Sequence, residues 1–245
     1  MLWKILGGRC LYDASSGVRV FDNYFFRWLQ LDSDALQTVL NKFYPQKAGL
    51  NYINALVFMA RGTPGDCCML GLGGAAIAHA LSPYMANFKI TAVEFNSEII
   101  RLAPRFFMTD RLANLEIIHD EASAFVSHSS QSFQHIMVDL FNANSFPGSC
   151  NNEQFFADCK QRLCPGGTLA VNLANRHEQK PIFELIKKQF SGATVAIPIK
   201  NCANLIVVAT KDCSITPLLN HFKNSKQLKQ LAWDEIWGCV AELKT

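Results

Sequence analysis

The stretch Leu70-Gly71-Leu72-Gly73-Gly74-Ala75 decides the fold. It closes an apolar run that begins at Cys67 and opens a helix-forming segment that Ser82-Pro83 stops. A buried strand running into a glycine turn and then a helix starts a β-α-β unit, because glycine lets the backbone turn sharply and approach a ligand closely. The same alternation continues outward. Strands are predicted at 67–72, 89–95, 115–118, 135–140 and 168–173, and helices at 75–81, 97–107, 121–127, 152–163 and 177–190. Strands at 193–199 and 204–209 follow, joined by Lys200-Asn201-Cys202-Ala203, a link too short for a parallel crossover, so that pair is antiparallel. The tail, 225–243, reads as a helix with an apolar stripe of Leu231, Ala232, Trp233, Ile236 and Trp237, suited to core packing or to an interface. Such alternation predicts an α/β, doubly wound, mostly parallel sheet of about seven strands.

Upstream the pattern differs. Residues 9–12, 18–21 and 24–31 are short apolar stretches separated by turn residues such as Asp13-Ala14-Ser15-Ser16-Gly17. They predict a small antiparallel β-domain of two or three strands over 1–50. The larger domain then spans 51–245 and begins with a helix at 52–60.

Composition narrows the function classes. Among 245 residues, 49% are hydrophobic and 18% charged, as in a globular chain. Lys plus Arg number 23 against 20 Asp plus Glu, a net charge of +3, which gives no basic excess for nucleic acid. No apolar run reaches the roughly 20 residues that span a bilayer, and the N-terminus is too short in its apolar part for a secretory signal. The nine cysteines are odd in number and form no CxxC pair, which argues against a disulfide framework and against zinc. Reduced, mostly buried thiols in a cytoplasmic protein are expected, with Cys67 and Cys68 on opposite faces of their strand.

In a doubly wound sheet the ligand lies beyond the C-terminal strand ends. Four such ends carry candidates. Gly71, Gly73 and Gly74 form the first, and a tight structural turn is the bland alternative. Glu94 ends the second strand 20 residues after Gly74, where an acid accepts both ribose hydroxyls. Asp120 follows the third strand and suits an exocyclic adenine amine, or else a helix N-cap. Asp139 follows the fourth, facing the reacting part of a ligand. In this order the four argue for an adenosine-containing ligand, and the antiparallel final hairpin favours an S-adenosylmethionine-type fold over a nicotinamide dinucleotide fold.

On these residues the chain resembles the spermidine synthase family, a branch of the class I S-adenosylmethionine-dependent methyltransferase fold. The resemblance extends to Arg27-Trp28-Leu29-Gln30-Leu31-Asp32, to Asp34-Ala35-Leu36-Gln37 and to Leu50-Asn51-Tyr52. It implies Gly71, Gly73 and Gly74 around the co-substrate, Glu94 on its ribose, Asp120 on its adenine and Asp139 as catalytic base. It further implies Gln37, Tyr52 and Asn142 around the acceptor. The implied co-substrate is S-adenosylmethionine or its decarboxylated form, without a metal. The implied partners are a small-molecule substrate such as an amine and a second copy in a homodimer, with neither nucleic acid nor membrane.

The departures cluster. The family's Gly-Gly-Gly-Asp-Gly turn has Gly74 at its Asp and Ala75 at its last Gly. Its Asp-Ser-Ser/Thr-Asp-Pro becomes Asp139-Leu140-Phe141-Asn142-Ala143, and the His-Glu after the helix-opening Tyr becomes Ile53-Asn54. The missing acids are those around the amine-bearing substrates. Desolvated ammonium groups need paired carboxylates. At about 1.5–3 kcal/mol per charged hydrogen bond, losing two would weaken diamine binding by more than about a hundredfold. An acid at position 74 would also repel the carboxylate of S-adenosylmethionine, and Gly74 lifts that repulsion. Three readings follow: aminopropyl transfer to a polyamine, methyl transfer to a small molecule, and a non-catalytic nucleoside-binding or scaffold homologue. An open cleft favours the enzymes; one filled by Phe141, Phe146 or Phe155 favours the third.

Overall fold

The computed structural model describes residues 5–31, 36–140, 145–212, 214–223 and 231–242. Four strands come first: β1 (Arg9–Asp13), β2 (Val18–Asp22), β3 (Phe26–Leu31) and β4 (Leu36–Asn41), an antiparallel meander in sequence order. On β2, Val18 and Val20 are buried and alternate with half-buried Arg19 and Phe21, the two-residue period of a sheet with one covered face. The sequence predicts two or three strands here. The additional one is β4, whose Gln37 and Thr38 face the site described below.

Helices α1 (Tyr52–Leu56) and α2 (Phe58–Gly62) follow, divided at Val57 (φ −93°, ψ 3°), where a single helix over 52–60 is predicted. The large sheet then winds through β5 (Cys67–Leu70), α3 (Ala76–Leu81), β6 (Ile90–Glu94), α4 (Ser97–Phe107), β7 (Leu115–His119), α5 (Ala122–His128) and β8 (Phe133–Val138). It continues with α6 (Glu153–Arg162), β9 (Leu163–Leu173), α7 (Arg176–Gln189), β10 (Thr194–Pro198), β11 (Leu205–Thr210) and α8 (Thr216–Lys223), and ends in β12 (Leu231–Asp234) and β13 (Cys239–Glu242).

The strand order is β12-β13-β10-β11-β9-β8-β5-β6-β7. Strands β9, β8, β5, β6 and β7 are parallel, and β11 runs antiparallel to both β9 and β10, as the short 200–203 link requires. The chain starts at β5, winds one way to β7, then crosses to β8 on the other side. That reversal is the switch point.

The tail corrects the sequence expectation. Of the predicted 225–243 helix, residues 231–242 form a hairpin and raise the sheet from seven strands to nine, while 225–230 and 243 lie outside the described residues. Turn chemistry overrides the apolar spacing. Asp234 Oδ1 accepts from the Ile236 and Trp237 amides at 2.9 and 3.1 Å, and Gly238 adopts φ +58°. The apolar stripe is thereby split. Trp237 packs edge-on against Phe183 at 5.3 Å, while Trp233 and Ile236 point outward.

The core has two layers, one on each face of the large sheet. Cys67, Met69, Ala92 and Met137 belong to the first; Cys68, Leu70, Val93 and Val138 belong to the second. The adjacent cysteines therefore do face opposite ways, and all eight described cysteines are free thiols. The first layer merges with Val18, Val20, Trp28 and Val39, so the small sheet closes over α3 and α4 at the C-terminal strand ends. No helix among the described residues is long and apolar enough to cross a membrane.

Candidate active site

Between the small sheet and the ends of β5, β6, β7 and β8 lies a cavity of about 650 Å³, within the usual range for small-molecule sites. Gly71, Gly73, Glu94, Asp120, Asp139, Gln37 and Tyr52 all line it, which brings together residues scattered over a hundred positions. Asn142 lies outside the described residues.

The glycine turn shapes the floor. Gly71 has φ +95° and Gly73 φ +49°, conformations that exclude most side chains. A Cβ on Gly71 would lie 2.5 Å from the Asp139 carbonyl oxygen. Only a bare α-carbon lets the ends of β5 and β8 meet there. Ala75 also adopts the left-handed conformation, φ 56°, where the family's last glycine stands.

Gly74 is placed differently from the expected ligand contact. It is buried beneath β4, and its N–H donates to Thr38 Oγ1 at 2.9 Å. A Cβ there would meet Thr38 Cγ2 at 2.5 Å and Phe107 Cδ1 at 2.8 Å. Thr38 thus fills the space that a side chain at position 74 would need.

Glu94 grips the turn. Its Oε2 accepts from the Leu72 amide at 2.9 Å and from the Gly73 amide at 3.4 Å, and its Oε1 accepts from the Asn96 amide at 2.9 Å. A carboxylate has about four lone-pair sites, so Oε1 keeps one that can accept from a ligand. At the next strand end, the N-cap of α5 is Glu121, whose Oε2 accepts from the Ala124 amide at 2.9 Å. The capping role considered for Asp120 therefore falls to its neighbour. Asp120 takes the Glu121 amide on Oδ1 at 2.8 Å and borders the cavity.

Asp139 stands at the other end. Tyr52 at the start of α1 donates its hydroxyl to Oδ2 at 2.9 Å, and Asn172 at the end of β9 donates its amide to Oδ1 at 2.7 Å. Burial pushes the carboxyl up from its ordinary value, and these two donors pull it back in part. Burial and the Asp139 charge raise the Tyr52 phenol well above its usual range, so it stays a donor. Glu94, Asp120, Glu121 and Asp139 line the cavity, and no Lys, Arg or His does among the described residues. Four carboxylates without a cation favour a positively charged ligand.

Sequence reading missed Thr38, Ser16, Phe95 and Glu121 on the cavity wall, and Asn172 behind it. The small sheet is fastened over the opening by Tyr12 and Ser16, whose hydroxyls donate to Glu98 Oε1 and Oε2, each at 2.5 Å. Phe146 and Phe155 are packed in the second core layer and are not among the residues that line the cleft. Phe141 lies outside the described residues.

No family model matches the chain. A polyamine aminopropyltransferase of Neisseria meningitidis serogroup A is 26% identical over 209 residues, covering 82% of this chain and 80% of that one. A spermidine synthase solved in complex with the transition-state analogue AdoDATO superposes with a TM-score of 0.66 at 16% identity, over 84% of this chain and 75% of that one. Human methyltransferase-like protein 13 in complex with SAH superposes with a TM-score of 0.60 at 16% identity, over 76% of this chain and 96% of that one. The chain is thus similar in sequence to polyamine aminopropyltransferases and shares the methyltransferase-type α/β fold of spermidine synthases.

Proposed function

We propose that this protein is an alkyl transferase that binds an S-adenosyl sulfonium in the cavity and passes its aminopropyl group to a polyamine, with Asp139 as base. The observation that carries this reading is the division of one all-acidic cavity into two ends. Glu94 and Asp120 stand at one end, suited to a nucleoside, and Asp139 with Tyr52 stands at the other, suited to a nucleophile. The residues fit such a ligand. The bare α-carbons of Gly71 and Gly73 leave room for its tail, Oε1 of Glu94 keeps a lone pair for the ribose, and the four carboxylates suit its charge.

When bound, the sulfonium supplies an electrophilic carbon and a neutral thioether leaving group. Asp139 orients the attacking amine by accepting one of its N–H bonds. As the nitrogen lone pair forms the C–N bond, the C–S pair returns to sulfur, and Asp139 takes the proton released from nitrogen. Its raised pKa suits that task. Tyr52 and Asn172 hold the carboxylate plane so that its remaining lone pairs face the cavity. The AdoDATO and SAH carried by the two structural neighbours support an S-adenosyl type of ligand.

A second reading, methyl transfer from S-adenosylmethionine, is favoured by Gly74. Thr38 and Phe107 close the space in which an acid would repel the amino-acid carboxylate of that ligand. Calorimetric titration with decarboxylated S-adenosylmethionine and S-adenosylmethionine side by side decides. Preference for the first supports aminopropyl transfer, preference for the second supports methyl transfer, and binding of neither by folded protein overturns both.

A further inference from the structure

Asp139 ends a hydrogen-bonded series that begins two strands away. Asn204, just before β11, donates Nδ2 to Asn172 Oδ1 at 2.8 Å, and Asn172 donates Nδ2 to Asp139 Oδ1 at 2.7 Å. A carboxylate only accepts, whereas an asparagine amide can present either its N–H or its carbonyl. The wrong end of Asn172 would set two acceptors face to face. The acceptor-only carboxylate takes the N–H end, and Asn204 holds that orientation by occupying the Asn172 carbonyl. The main chain beside both asparagines is held by one buried side chain. Gln179 of α7 donates to the Leu173 carbonyl at 2.9 Å and to the Ala203 carbonyl at 2.7 Å. This fixes β9 against β11 where Leu173 pairs with Leu205.

We propose that Asn204 and Asn172 are positioning residues for Asp139, with Asn204 holding the Asn172 amide in place so that its N–H stays on the carboxylate. A buried amide and a half-buried one at an otherwise apolar pair of strand ends thereby acquire a task that cross-strand packing does not require. With Tyr52 on Oδ2, both oxygens have a fixed donor and the carboxylate plane cannot rotate. The titratable groups around Asp139 are Tyr52 of α1, the Cys202 thiol in the β10–β11 turn, whose charge acts on Tyr52, and Glu94, Asp120 and Glu121 on the cavity wall. At the end of β5 the approach is by backbone: the Leu70 carbonyl accepts the Asp139 N–H at 2.9 Å, and Gly71 lies against the Asp139 carbonyl. Substitution at Asn204 changes none of these.

The inference rests on Asp139 as the base of the proposed transfer, and its test reads Asp139 directly. The protein is labelled with ¹³C at the aspartate carboxyls, and the Asp139 resonance is assigned by its absence from Asp139→Asn. Its titration is compared in the parent protein, Asn204→Ala and Asn172→Ser. Half-buried Asn204 makes the first a mild change, and the second removes the amide itself. The expected result is an upward shift of the Asp139 midpoint by about half to one unit in both, because a donor to the charged form is loosened or lost. The acid limb of the rate profile should move with it, at unchanged affinity for the S-adenosyl ligand. An Asp139 midpoint that stays put in both variants overturns the proposal. Failure of the parent protein to bind either S-adenosyl ligand would instead remove the transferase reading, while the carboxyl titration would still decide the role of Asn204.

Discussion

Gly71 and the Asp139 carbonyl stand so close that a Cβ on Gly71 would lie 2.5 Å from that oxygen and 3.2 Å from its carbon. The glycine turn and the Asp139 strand end are thus built against each other. Gly71→Ala must relieve that overlap and also adopt φ +95°, a strained angle for any Cβ. A loss of at least about 2 kcal/mol is expected, together with weaker S-adenosyl binding, because the backbone beneath Asp139 has to move. A denaturant midpoint and a calorimetric titration check it. Unchanged stability and affinity would show that the two strand ends are not pressed together.

Glu94 holds the turn from the other side, and glutamine is a poor mimic of it. Both carboxylate oxygens accept backbone N–H groups, Leu72 and Gly73 on one and Asn96 on the other. In Glu94→Gln one of these sites becomes an NH₂ that faces a donor. Losing a charge-assisted bond of about 1.5–3 kcal/mol predicts affinity for the S-adenosyl ligand lower by roughly 10- to 100-fold. Calorimetry of the variant measures it, and retained affinity would leave Glu94 a turn staple alone.

Acid should destabilise this fold above the pH at which most carboxylates titrate. His135 is buried between Thr168 Oγ1 at 2.7 Å and the Thr63 carbonyl at 2.6 Å. Burial lowers it from 6.5 to about 4 despite the Thr63 carbonyl. The unfolded chain therefore binds a proton below about 6.5 that the folded chain refuses until about 4. Stability is full above the first value and falls through that window by about 3 kcal/mol, at about 1.36 kcal/mol per unit. His79, also lowered by burial, adds to the loss. A series of chemical denaturation midpoints between pH 7 and pH 4 tests this. A flat series would mean that His135 is protonated in the native state.

Removing the Tyr52 hydroxyl should move the activity profile without moving the cavity wall. In Tyr52→Phe, Asp139 keeps only Asn172 as donor, so its carboxyl rises further. The base is then protonated at a higher pH and the acid limb of kcat shifts upward. A fall in kcat of roughly 10- to 100-fold near neutrality is expected, the scale of a disturbed general base. A fall in affinity with an unmoved acid limb would make Tyr52 a binding residue instead.

Local features were legible in the sequence; features made by pairing were not. The turn at Gly71–Gly73 and the acids at Glu94, Asp120 and Asp139 are read from strand-then-loop patterns that need no knowledge of neighbours. The 231–242 hairpin reads as a helix because Ala232, Trp233, Ile236 and Trp237 of its apolar stripe recur at helical spacing. The Asp234 and Gly238 turn that decides between them is a short-range signal that could have been used. Val57 carries no glycine or proline to mark its break. Thr38 acquires meaning only when β4 is laid on Gly74, and Asn172 only when β11 brings Asn204 beside it. The cleft's wall and its supports are tertiary facts.

The ionised carboxylate at Asp139 should cost the fold stability that an amide would restore. Burial raises its pKa above the unfolded value of 3.8, so the penalty is present at neutral pH and is relieved as pH falls through the raised folded value. In Asp139→Asn the new carbonyl can accept from Asn172 Nδ2 and the new amide can donate to the Tyr52 oxygen, so both partners stay satisfied. The variant should melt at or above the parent temperature at pH 7, by a few degrees for each kcal/mol regained, and the difference should shrink in acid. Transfer activity should fall by at least about a hundredfold, because an amide cannot take the proton. This is the trade expected where a catalytic group is held in an unfavourable state. Paired melting curves at pH 7 and pH 5 with a turnover assay measure all three, and an Asp139→Asn protein less stable than the parent at both would show that the carboxylate supports the fold.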